Sequence, residues 1–302
     1  MTIHHGSTTE SPRFCDYEGS DYRTAFWEGQ GREYEDLAER IALRTLLPHS
    51  GQRLIDIGGG FGRLVDLYAG YREIVLMDAS RSQLEDARQR LDDPRIVYVA
   101  ANIYEMPFSE ASFDTAVMVR VLHHLSDVPM ALRSIRAVLS SGSPLVMEYA
   151  NKRNIKAMAR YWMRRASHNP FGLEPYEFVP LNFNFHPAYM ESHLSRAGFR
   201  VGRQLAVSHF RLAPLKRVFP APLLAYLDGL LQQPTGRWRL TPSMFVQAHA
   251  TPEGPSRLVS RIFSCPTCRF PLAQEYETLR CDRCGRRWST SGGIHDFRQT
   301  VS

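Results

Sequence analysis

Three groups of residues have types and spacings suited to chemistry, and the first is a glycine-dense turn. Gly58, Gly60 and Gly62 follow a short apolar run that contains Asp56, and Asp78 closes the next apolar run, twenty positions after Gly58. Glycines let the backbone pass close beneath a ligand, and a carboxylate at this distance can accept hydrogen bonds from two ribose hydroxyls. The pattern predicts a nucleotide site in a βαβ unit.

The spacing of the glycines indicates which nucleotide binds. A dinucleotide fingerprint needs its third glycine at position 63, where Arg63 stands, and the chain has no GxxxxGK[ST] phosphate cradle. An adenosine ligand without phosphates fits better, with Asp56 facing a cationic group. The alternative is that the turn is glycine-rich only for packing between strand and helix.

The second group is a set of four cysteines near the C-terminus. Cys265 and Cys268 form one CxxC pair, Cys281 and Cys284 form another, and twelve residues separate the pairs. Two such pairs bring four thiolates onto one tetrahedral ion, usually Zn²⁺, which can replace a core too small to hold a short module. Two disulfides are the competing structure, and Cys15 is expected to be an ordinary free thiol.

The third group consists of two histidines and, earlier in the chain, several aromatic residues. His123 and His124 follow the fourth strand of the predicted sheet, where either could take a proton near neutral pH. The alternative is a packing role. Tyr17, Tyr22 and Trp27 precede the first helix and either cap the ligand or pack on the surface.

Alternating strands and helices must position these groups. Apolar runs predict strands at 53–57, 74–77, 96–99, 115–119, 145–149, 200–209 and 243–249, and helices at 34–47, 61–69, 81–91, 128–139 and 187–197. This alternation is typical of an α/β fold with a doubly wound, mostly parallel sheet, which binds ligands at the carboxyl ends of its strands.

The predicted organisation is a tail and cap at 1–33, a main domain at 34–250, a linker at 251–260 and a zinc module at 261–302. Two stretches exceed what the sheet needs and are called here the first excursion (150–185) and the second excursion (211–240). Both are rich in aromatic residues and proline. They either wall a substrate pocket as helical lids or extend the core.

A basic stripe runs through the first excursion. Its members recur every four residues: Lys152, Lys156, Arg160 and Arg164. If helical, the stripe forms a ridge suited to RNA phosphates, an anionic substrate or a membrane surface, or simply a solvated face.

Composition sets the broad class. The chain has 302 residues and a formal charge of +6, of which +4 lies in residues 257–302. It contains no apolar run long enough to span a membrane and no secretory signal at its start, so a cytoplasmic protein is expected. The polar stretch 1–11 is predicted to be a mobile tail.

Residues 34–150 resemble a class I S-adenosylmethionine (SAM)-dependent methyltransferase of the type-11 group. The stretches that carry the resemblance are Leu54-Ile-Asp-Ile-Gly-Gly-Gly-Phe-Gly-Arg63, Ile74-Val-Leu-Met-Asp78, Ala101-Asn102-Ile103, Met106-Pro107-Phe108, Ser112-Phe113-Asp114, Val121-Leu122-His123-His124-Leu125, Leu139-Ser-Ser-Gly142 and Pro144-Leu-Val-Met-Glu148. The resemblance implies a Rossmann-like methyltransferase fold. By carry-over, the three glycines run under the methionine moiety and Asp56 lies near its ammonium group.

The same resemblance assigns the adenosine contacts. It implies that Asp78 holds the ribose and that Asn102 and Ile103 hold the adenine. The family usually has Asp at position 102, but an Asn side-chain oxygen can still accept from the adenine amino group.

The C-terminal module resembles the zinc-ribbon activator subunit of tRNA, rRNA and release-factor methyltransferases. The matching residues are Ser264-Cys-Pro-Thr-Cys268, Leu279-Arg-Cys-Asp-Arg-Cys-Gly285, Trp288 and Gly292-Gly-Ile-His-Asp-Phe297, with Ser291 and His295 departing from the family pattern. This resemblance implies a structural Zn²⁺. Its fusion to a methyltransferase domain suggests that the ribbon docks on that domain in cis.

Taken together, these patterns favour an enzyme that methylates a metabolite or lipid-like acceptor. One alternative is an RNA methyltransferase guided by Arg280, Arg283, Arg286 and Arg287 of the ribbon. Another is a non-catalytic SAM-binding interaction protein. The chain lacks the Asn/Asp-Pro-Pro-aromatic motif after its fourth strand, which disfavours methylation of DNA bases and glutamine.

Overall fold

The computed structural model describes residues 2–3 and 12–301, so most of the predicted tail at 1–11 lies outside the described residues. The strands are β1 (Thr2–Ile3), β2 (Cys15–Asp16), β3 (Gly51–Ile57), β4 (Tyr71–Asp78), β5 (Ile96–Ala100), β6 (Thr115–Met118), β7 (Pro144–Ala150), β8 (Tyr176–Val179), β9 (Asn182–Asn184), β10 (Phe199–Val207), β11 (Ser243–Ala250), β12 (Leu272–Glu275), β13 (Thr278–Cys281), β14 (Arg287–Ser289) and β15 (Ile294–Val301). The α-helices are α1 (Glu33–Leu46), α2 (Arg81–Arg90), α3 (Val128–Val138), α4 (Ile155–Trp162), α5 (Pro187–Arg196), α6 (Ala213–Val218) and α7 (Ala221–Thr235).

One large sheet organises the part of the chain that the structure describes. Its strand order is β10-β11-β7-β6-β3-β4-β5-β15-β14-β13-β12. Strands β3 to β7 pair in parallel, and β11 lies antiparallel between β7 and β10. The predicted mostly parallel, doubly wound sheet is therefore confirmed. The chain order reverses at β3, which lies between β4 and β6, and such a switch point opens a crevice for a ligand.

Apolar side chains cover both faces of the sheet. One face carries α1, α2 and α7 over residues such as Leu54, Leu76 and Phe245, and the other carries α3 and α5 over residues such as Ile55 and Met147. A strand that is buried on both faces needs apolar side chains at successive positions, so it forms a continuous apolar run. Such runs can be recognised in the sequence.

The prediction of an α-helix at 61–69 is wrong. The chain instead turns through Gly62, whose φ is +76°, into a short 3-10 helix at Val65–Tyr68. The backbone hydrogen bonds here run from residue i to residue i−3, as in a 3-10 helix, in place of the i to i−4 bonds of an α-helix. The Gly62 N–H donates to the Gly59 carbonyl, and the Val65 N–H donates to the Gly62 carbonyl.

Both excursions contain helices. The first contains α4 and the hairpin β8–β9, and the second contains α6 and α7. Helix α7 packs along α1, with buried Asp228 accepting a hydrogen bond from the Tyr34 hydroxyl at 2.5 Å. This half of the second excursion therefore extends the helical layer.

The C-terminal module continues the sheet. Strand β15 pairs in parallel with β5, placing Ile294 opposite Tyr98 and Asp296 opposite Ala100. The side chain of Ile294 is fully buried there, and the Phe263 ring stacks on Phe108 with centroids 5.8 Å apart. Because β15 occupies it, the edge of β5 is not left open to other chains.

Candidate functional site

The glycine turn after β3 forms the floor of a cleft. Gly58 and Gly60 have φ values of +70° and +49°, a backbone region that favours glycine. A Cβ on Gly58 would lie 2.2 Å from the Val121 side chain, so no other residue fits without a shift. The turn therefore keeps its backbone bare where it meets the cleft.

Asp78, at the end of β4, is held by backbone donors. The Gly60 N–H donates to its Oδ2 and the Ser80 N–H donates to its Oδ1, each at 2.8 Å. These two bonds fix the orientation of the carboxylate beside the glycine turn, and a carboxylate oxygen can accept more than one hydrogen bond. The carboxylate is thus oriented for a pair of neighbouring hydroxyl donors.

Asp56 is buried at the end of β3. Its Oδ2 accepts from the Tyr68 hydroxyl at 2.9 Å. Burial raises the pKa of Asp56 to about 7, although the Tyr68 bond and Arg63 both act to lower it. A cationic group in the cleft would stabilise the charged form of this carboxylate.

Asn102 and Ile103 follow β5 at the same edge of the sheet. The Asn102 side-chain oxygen accepts from the Tyr104 N–H at 3.0 Å and begins a short 3-10 helix at Ile103–Glu105. Ile103 lines the cleft, whereas Asn102 and Gly62 are absent from its lining. Asn102 therefore shapes the turn that carries Ile103.

Aromatic residues from the N-terminal part of the chain close over the cleft. Residues 14–27, called here the N-terminal cap, place Tyr17, Tyr22 and Trp27 in its lining. The Tyr17 and Tyr22 rings have centroids 4.6 Å apart. The space among the lining residues amounts to about 940 Å³ when the adjoining open solvent is counted. The other apolar lining residues include Phe14, Ile57, Phe61, Leu64, Met77, Ile103, Val119, Val121 and Leu125.

His124 lines the cleft, and His123 does not. Nδ1 of His124 lies 3.2 Å from the Leu181 carbonyl oxygen, which can only accept, so this nitrogen carries the proton. Nε2 then accepts from the Tyr17 hydroxyl at 3.1 Å. Burial lowers the pKa of both histidines. The neutral His124 ring thereby joins the N-terminal cap to the first excursion.

Two residues that line the cleft, Arg63 and Arg120, are not among the site residues that the sequence predicts. Arg63 donates to Glu39 at 2.8 Å, and its guanidinium carbon lies 3.9 Å from the centre of the Trp27 ring. Arg120 pairs with the same Glu39. Burial opposes the charge of Arg120, but Glu39 outweighs it and holds the Arg120 pKa above its ordinary value.

A sequence signal for Arg63 did exist. It directly follows the glycine turn, where an amino-acid ligand needs a cation for its carboxylate. Arg120 carried no such signal, since only the folded chain brings it to Glu39. It also has a φ of +60°, uncommon for a residue with a side chain.

The four cysteines of the ribbon converge. The sulfurs of Cys265, Cys268, Cys281 and Cys284 all lie within 4.8 Å of one another. Those of Cys265 and Cys284 are 3.7 Å apart, and those of Cys268 and Cys281 are 3.4 Å apart. Zn–S bonds of about 2.3 Å in a tetrahedron require sulfur separations of roughly 3.8 Å. The four sulfurs are therefore placed to bind one Zn²⁺ ion as thiolates.

Solved structures match this architecture. A SAM-dependent methyltransferase from Thermotoga maritima superposes with a TM-score of 0.51 and 19% identity, covering 76% of this chain and 97% of that one. Another, from Mesorhizobium loti, gives a TM-score of 0.50 and 21% identity over 72% of this chain and 99% of that one. The fold is that of SAM-dependent methyltransferases.

Sequence comparisons locate the methyltransferase likeness in the main domain. Residues 55–147 match the model of a methyltransferase domain. A ubiquinone/menaquinone biosynthesis C-methyltransferase from Vibrio campbellii is 29% identical over 167 residues, which cover 49% of this chain and 64% of that protein. This chain therefore spans less than two thirds of that relative. Within the described residues, no helix is both long and apolar enough to cross a membrane.

Proposed function

We propose that this protein is an enzyme that transfers the methyl group of SAM to a small, lipid-like or otherwise apolar acceptor. The observation that carries the proposal is the cleft at the switch point, where a bare glycine turn lies between the carboxylates of Asp56 and Asp78. The match of residues 55–147 to a methyltransferase domain supports the same conclusion.

The residues present suit SAM. Asp78 accepts the ribose hydroxyls, Gly58 and Gly60 pass beneath the methionine part, and Asp56 faces its ammonium group. Ile103 packs against the adenine, while Asn102 orients the turn. Arg63 lines the cleft and pairs with Asp36 and Glu39, and the ligand carboxylate would share its guanidinium with these acids. SAM supplies a methyl group on a sulfonium, which leaves by in-line displacement, so alignment and exclusion of water provide most of the rate.

The acceptor class follows from the lining. The cleft is largely apolar and is covered by aromatic rings, which favours an acceptor with an apolar body. Two relatives are consistent with this, namely the ubiquinone/menaquinone biosynthesis C-methyltransferase from Vibrio campbellii and an O-methyltransferase from Aspergillus sclerotiorum. The latter is 30% identical over 151 residues, covering 45% of this chain and 57% of that protein.

His124 is the candidate base for removing a proton from an acceptor, and its hydrogen bond with Tyr17 decides whether it can act. His124 is neutral, and its Nε2 is the basic atom at the cleft, but it already accepts from the Tyr17 hydroxyl. An acceptor hydroxyl would have to displace Tyr17 to reach it. We therefore assign His124 primarily to holding Tyr17 over the cleft, and His123 to packing behind it.

The ribbon is proposed to hold one structural Zn²⁺ and to dock on the main domain in cis. The β5–β15 pairing supports docking, as do the bonds from the Arg269 guanidinium to the Met106 carbonyl at 2.9 Å and from the Ser264 N–H to the Pro107 carbonyl at 3.0 Å. The zinc would stabilise the strands that present β15 to the sheet edge.

The ribbon arginines give little support to an RNA acceptor. Arg280 pairs with Glu275 at 3.0 Å and with Asp282 at 2.8 Å, and Arg287 pairs with Glu275 at 3.7 Å. Two of the four positive charges that were candidates for phosphate contacts are thus matched by acids. We therefore favour a small-molecule acceptor.

The test is calorimetric titration with S-adenosylhomocysteine, followed by transfer from radiolabelled SAM to separate pools of lipid extract, polar metabolites and RNA. We expect micromolar binding and label in the lipid or apolar pool. Label in RNA alone would assign the RNA alternative. Binding without transfer to any pool would indicate a non-catalytic SAM-binding protein.

A further inference from the structure

Positive charge is concentrated in the two excursions. Residues 150–185 and 211–240 together hold eleven basic residues and three acidic ones, a formal charge of +8, whereas the whole chain carries +6. One of the three acids, Asp228, is fully buried. The other two, Glu174 and Glu177, lie in the second half of the first excursion. The stretches 150–165 and 211–240 therefore expose basic side chains and no acidic one.

Large apolar side chains are exposed among these charges. On α4, Ile155 is 61% exposed and Trp162 is 70% exposed. They stand at opposite ends of the helix but on the same face, because they are seven residues apart. Lys156 and Arg160 form the adjoining stripe, and neither makes an ion pair with another residue of the described chain. Helix α4 thus has an apolar edge beside a basic one, both facing away from the core.

Helix α7 repeats the arrangement with a longer apolar face. Leu224 and Asp228 point toward the protein, and the opposite face is exposed, with Tyr226 62% and Leu230 59% accessible. The other exposed apolar residues of this helix are Leu223, Leu227 and Leu231. A soluble helix normally covers its outer face with polar residues, so this face is built for an apolar environment.

The two segments meet along one border. The Ile155 N–H donates to the Leu240 carbonyl at 2.9 Å, and the Asn151 amide donates to the Arg239 carbonyl at 2.9 Å. A cavity between the excursions is lined by Ile155 from α4 and by Trp238 from the segment after α7. The two stretches are thus adjacent where α4 begins and α7 ends, and the exposed residues of 150–165 and 211–240 are called here the basic apolar surface.

We propose that the basic apolar surface docks on the surface of an anionic lipid bilayer. Exposed leucine, isoleucine and tryptophan side chains enter the boundary between head groups and acyl chains, while lysine and arginine bind the anionic head groups. Exposed basic residues available for this contact are Lys156, Arg160, Arg164, Arg165, Arg217 and Arg237. The proposal stands whether or not the protein transfers methyl groups.

Charge complementarity favours a bilayer over other occupants. A second copy placed symmetrically on this surface would bring Arg160 and Arg217 toward equivalent positive charges, which is unfavourable. A nucleic acid would meet the arginines and the rings of Trp162 and Tyr226, but it would leave the exposed leucines without an apolar partner, since these neither bind phosphates nor stack on bases. An anionic bilayer satisfies both the charged and the apolar parts.

The experiment is co-sedimentation of the full chain with vesicles. One set is pure phosphatidylcholine and the other is an equimolar mixture with phosphatidylglycerol. We compare Trp162→Ala/Tyr226→Ala, Arg160→Glu/Arg217→Glu and a ribbon control, Tyr276→Ala/Arg283→Glu, in which Tyr276 is 96% exposed. We expect the unmodified protein and the control to bind the anionic vesicles, and both surface variants to lose about tenfold or more in partitioning.

Two further measurements identify the other occupants. Absence of binding to anionic vesicles overturns the proposal, and so does binding that the ribbon control loses while the surface variants keep it. A dimer in analytical ultracentrifugation that Trp162→Ala/Tyr226→Ala dissociates, or RNA binding that Arg160→Glu/Arg217→Glu abolishes in a protein that ignores vesicles, also overturns it. Unchanged melting temperatures and far-UV circular dichroism spectra show that all variants are folded, and the S-adenosylhomocysteine titration tests the methyltransferase proposal separately.

Discussion

The Tyr17 hydroxyl and Nε2 of His124 lie 3.1 Å apart although 107 positions separate them in the chain. The other ring nitrogen of His124 reaches the Leu181 carbonyl at 3.2 Å. One neutral imidazole therefore ties the N-terminal cap and the first excursion to the rim of the cleft. Burial lowers the pKa of His124, which keeps the ring neutral and able to accept from Tyr17.

Removing the Tyr17 hydroxyl is expected to loosen the cap. Tyr17→Phe removes the hydroxyl that bonds to His124 and to the Cys15 thiol, at about 1 kcal/mol or more, so S-adenosylhomocysteine should bind at least roughly fivefold more weakly. His124→Ala loses the bonds to Tyr17 and Leu181 and should have a larger effect. Calorimetry measures both, with Tyr276→Phe as the exposed control. Equal affinity in Tyr17→Phe and the unmodified protein would show that the cap does not contribute to binding.

Asp78 is expected to dominate cofactor affinity. Asp78→Asn keeps the size of the side chain but replaces one acceptor oxygen by an NH₂ donor. That donor faces the backbone N–H of Gly60 or Ser80, and it cannot accept a hydrogen bond from a ribose hydroxyl. A loss of about 2 to 3 kcal/mol corresponds to a decrease of roughly thirtyfold or more in affinity. The matched control is Asp92→Asn on an exposed carboxylate. If Asp78→Asn binds normally while remaining folded, the ribose assignment is wrong.

Cofactor affinity should rise with pH through about 7. The pKa of Asp56 is raised to about 7 by burial, so below that pH the carboxyl is largely protonated and neutral in the free protein. Raising the pH ionises it, and the anion then attracts the ligand ammonium group. We expect tighter binding of S-adenosylhomocysteine on the alkaline side of 7, measured calorimetrically across the range.

The same titration separates Asp56 from other groups. Asp56→Asn should bind more weakly and with a flatter pH dependence, whereas Glu110→Gln, an exposed control, should behave like the unmodified protein. A pH dependence that persists unchanged in Asp56→Asn would assign it to another group.

Loss of a ribbon cysteine should remove zinc and destabilise the sheet edge. Cys281→Ser is expected to lower the zinc content by about one equivalent and to reduce the melting temperature by several degrees, because β15 would no longer be held against β5. Elemental analysis and calorimetry measure the two effects. Cys15→Ser, which removes a thiol outside the cluster, should keep its zinc. Full zinc content in Cys281→Ser would refute the four-thiolate site.

Much of the main domain was predictable because its signals are local. Each parallel strand is a short apolar run, and Gly58 with Asp78 marks the parallel pair β3 and β4 at a fixed spacing, although the helix predicted between them is wrong. The predicted strand 74–77 lies inside observed β4 (Tyr71–Asp78), and the predicted helix 81–91 agrees with α2 (Arg81–Arg90) to one residue. The metal-binding cysteines could be predicted equally well from the sequence, because a CxxC pair is a local arrangement.

The tertiary structure alone decided which distant groups meet. No spacing rule connects Tyr17 to His124, Arg120 to Glu39, or Ile294 to Tyr98, because such contacts depend on how the sheet is ordered and on which strand lies at its edge. The sequence by itself determined most strands and helices of the main domain and the chemical types at their ends, since those follow from residue periodicity and backbone conformation. The folded chain decided the cap over the cleft, the ribbon at the sheet edge and the exposed face of α7, since these depend on packing between elements far apart in the chain.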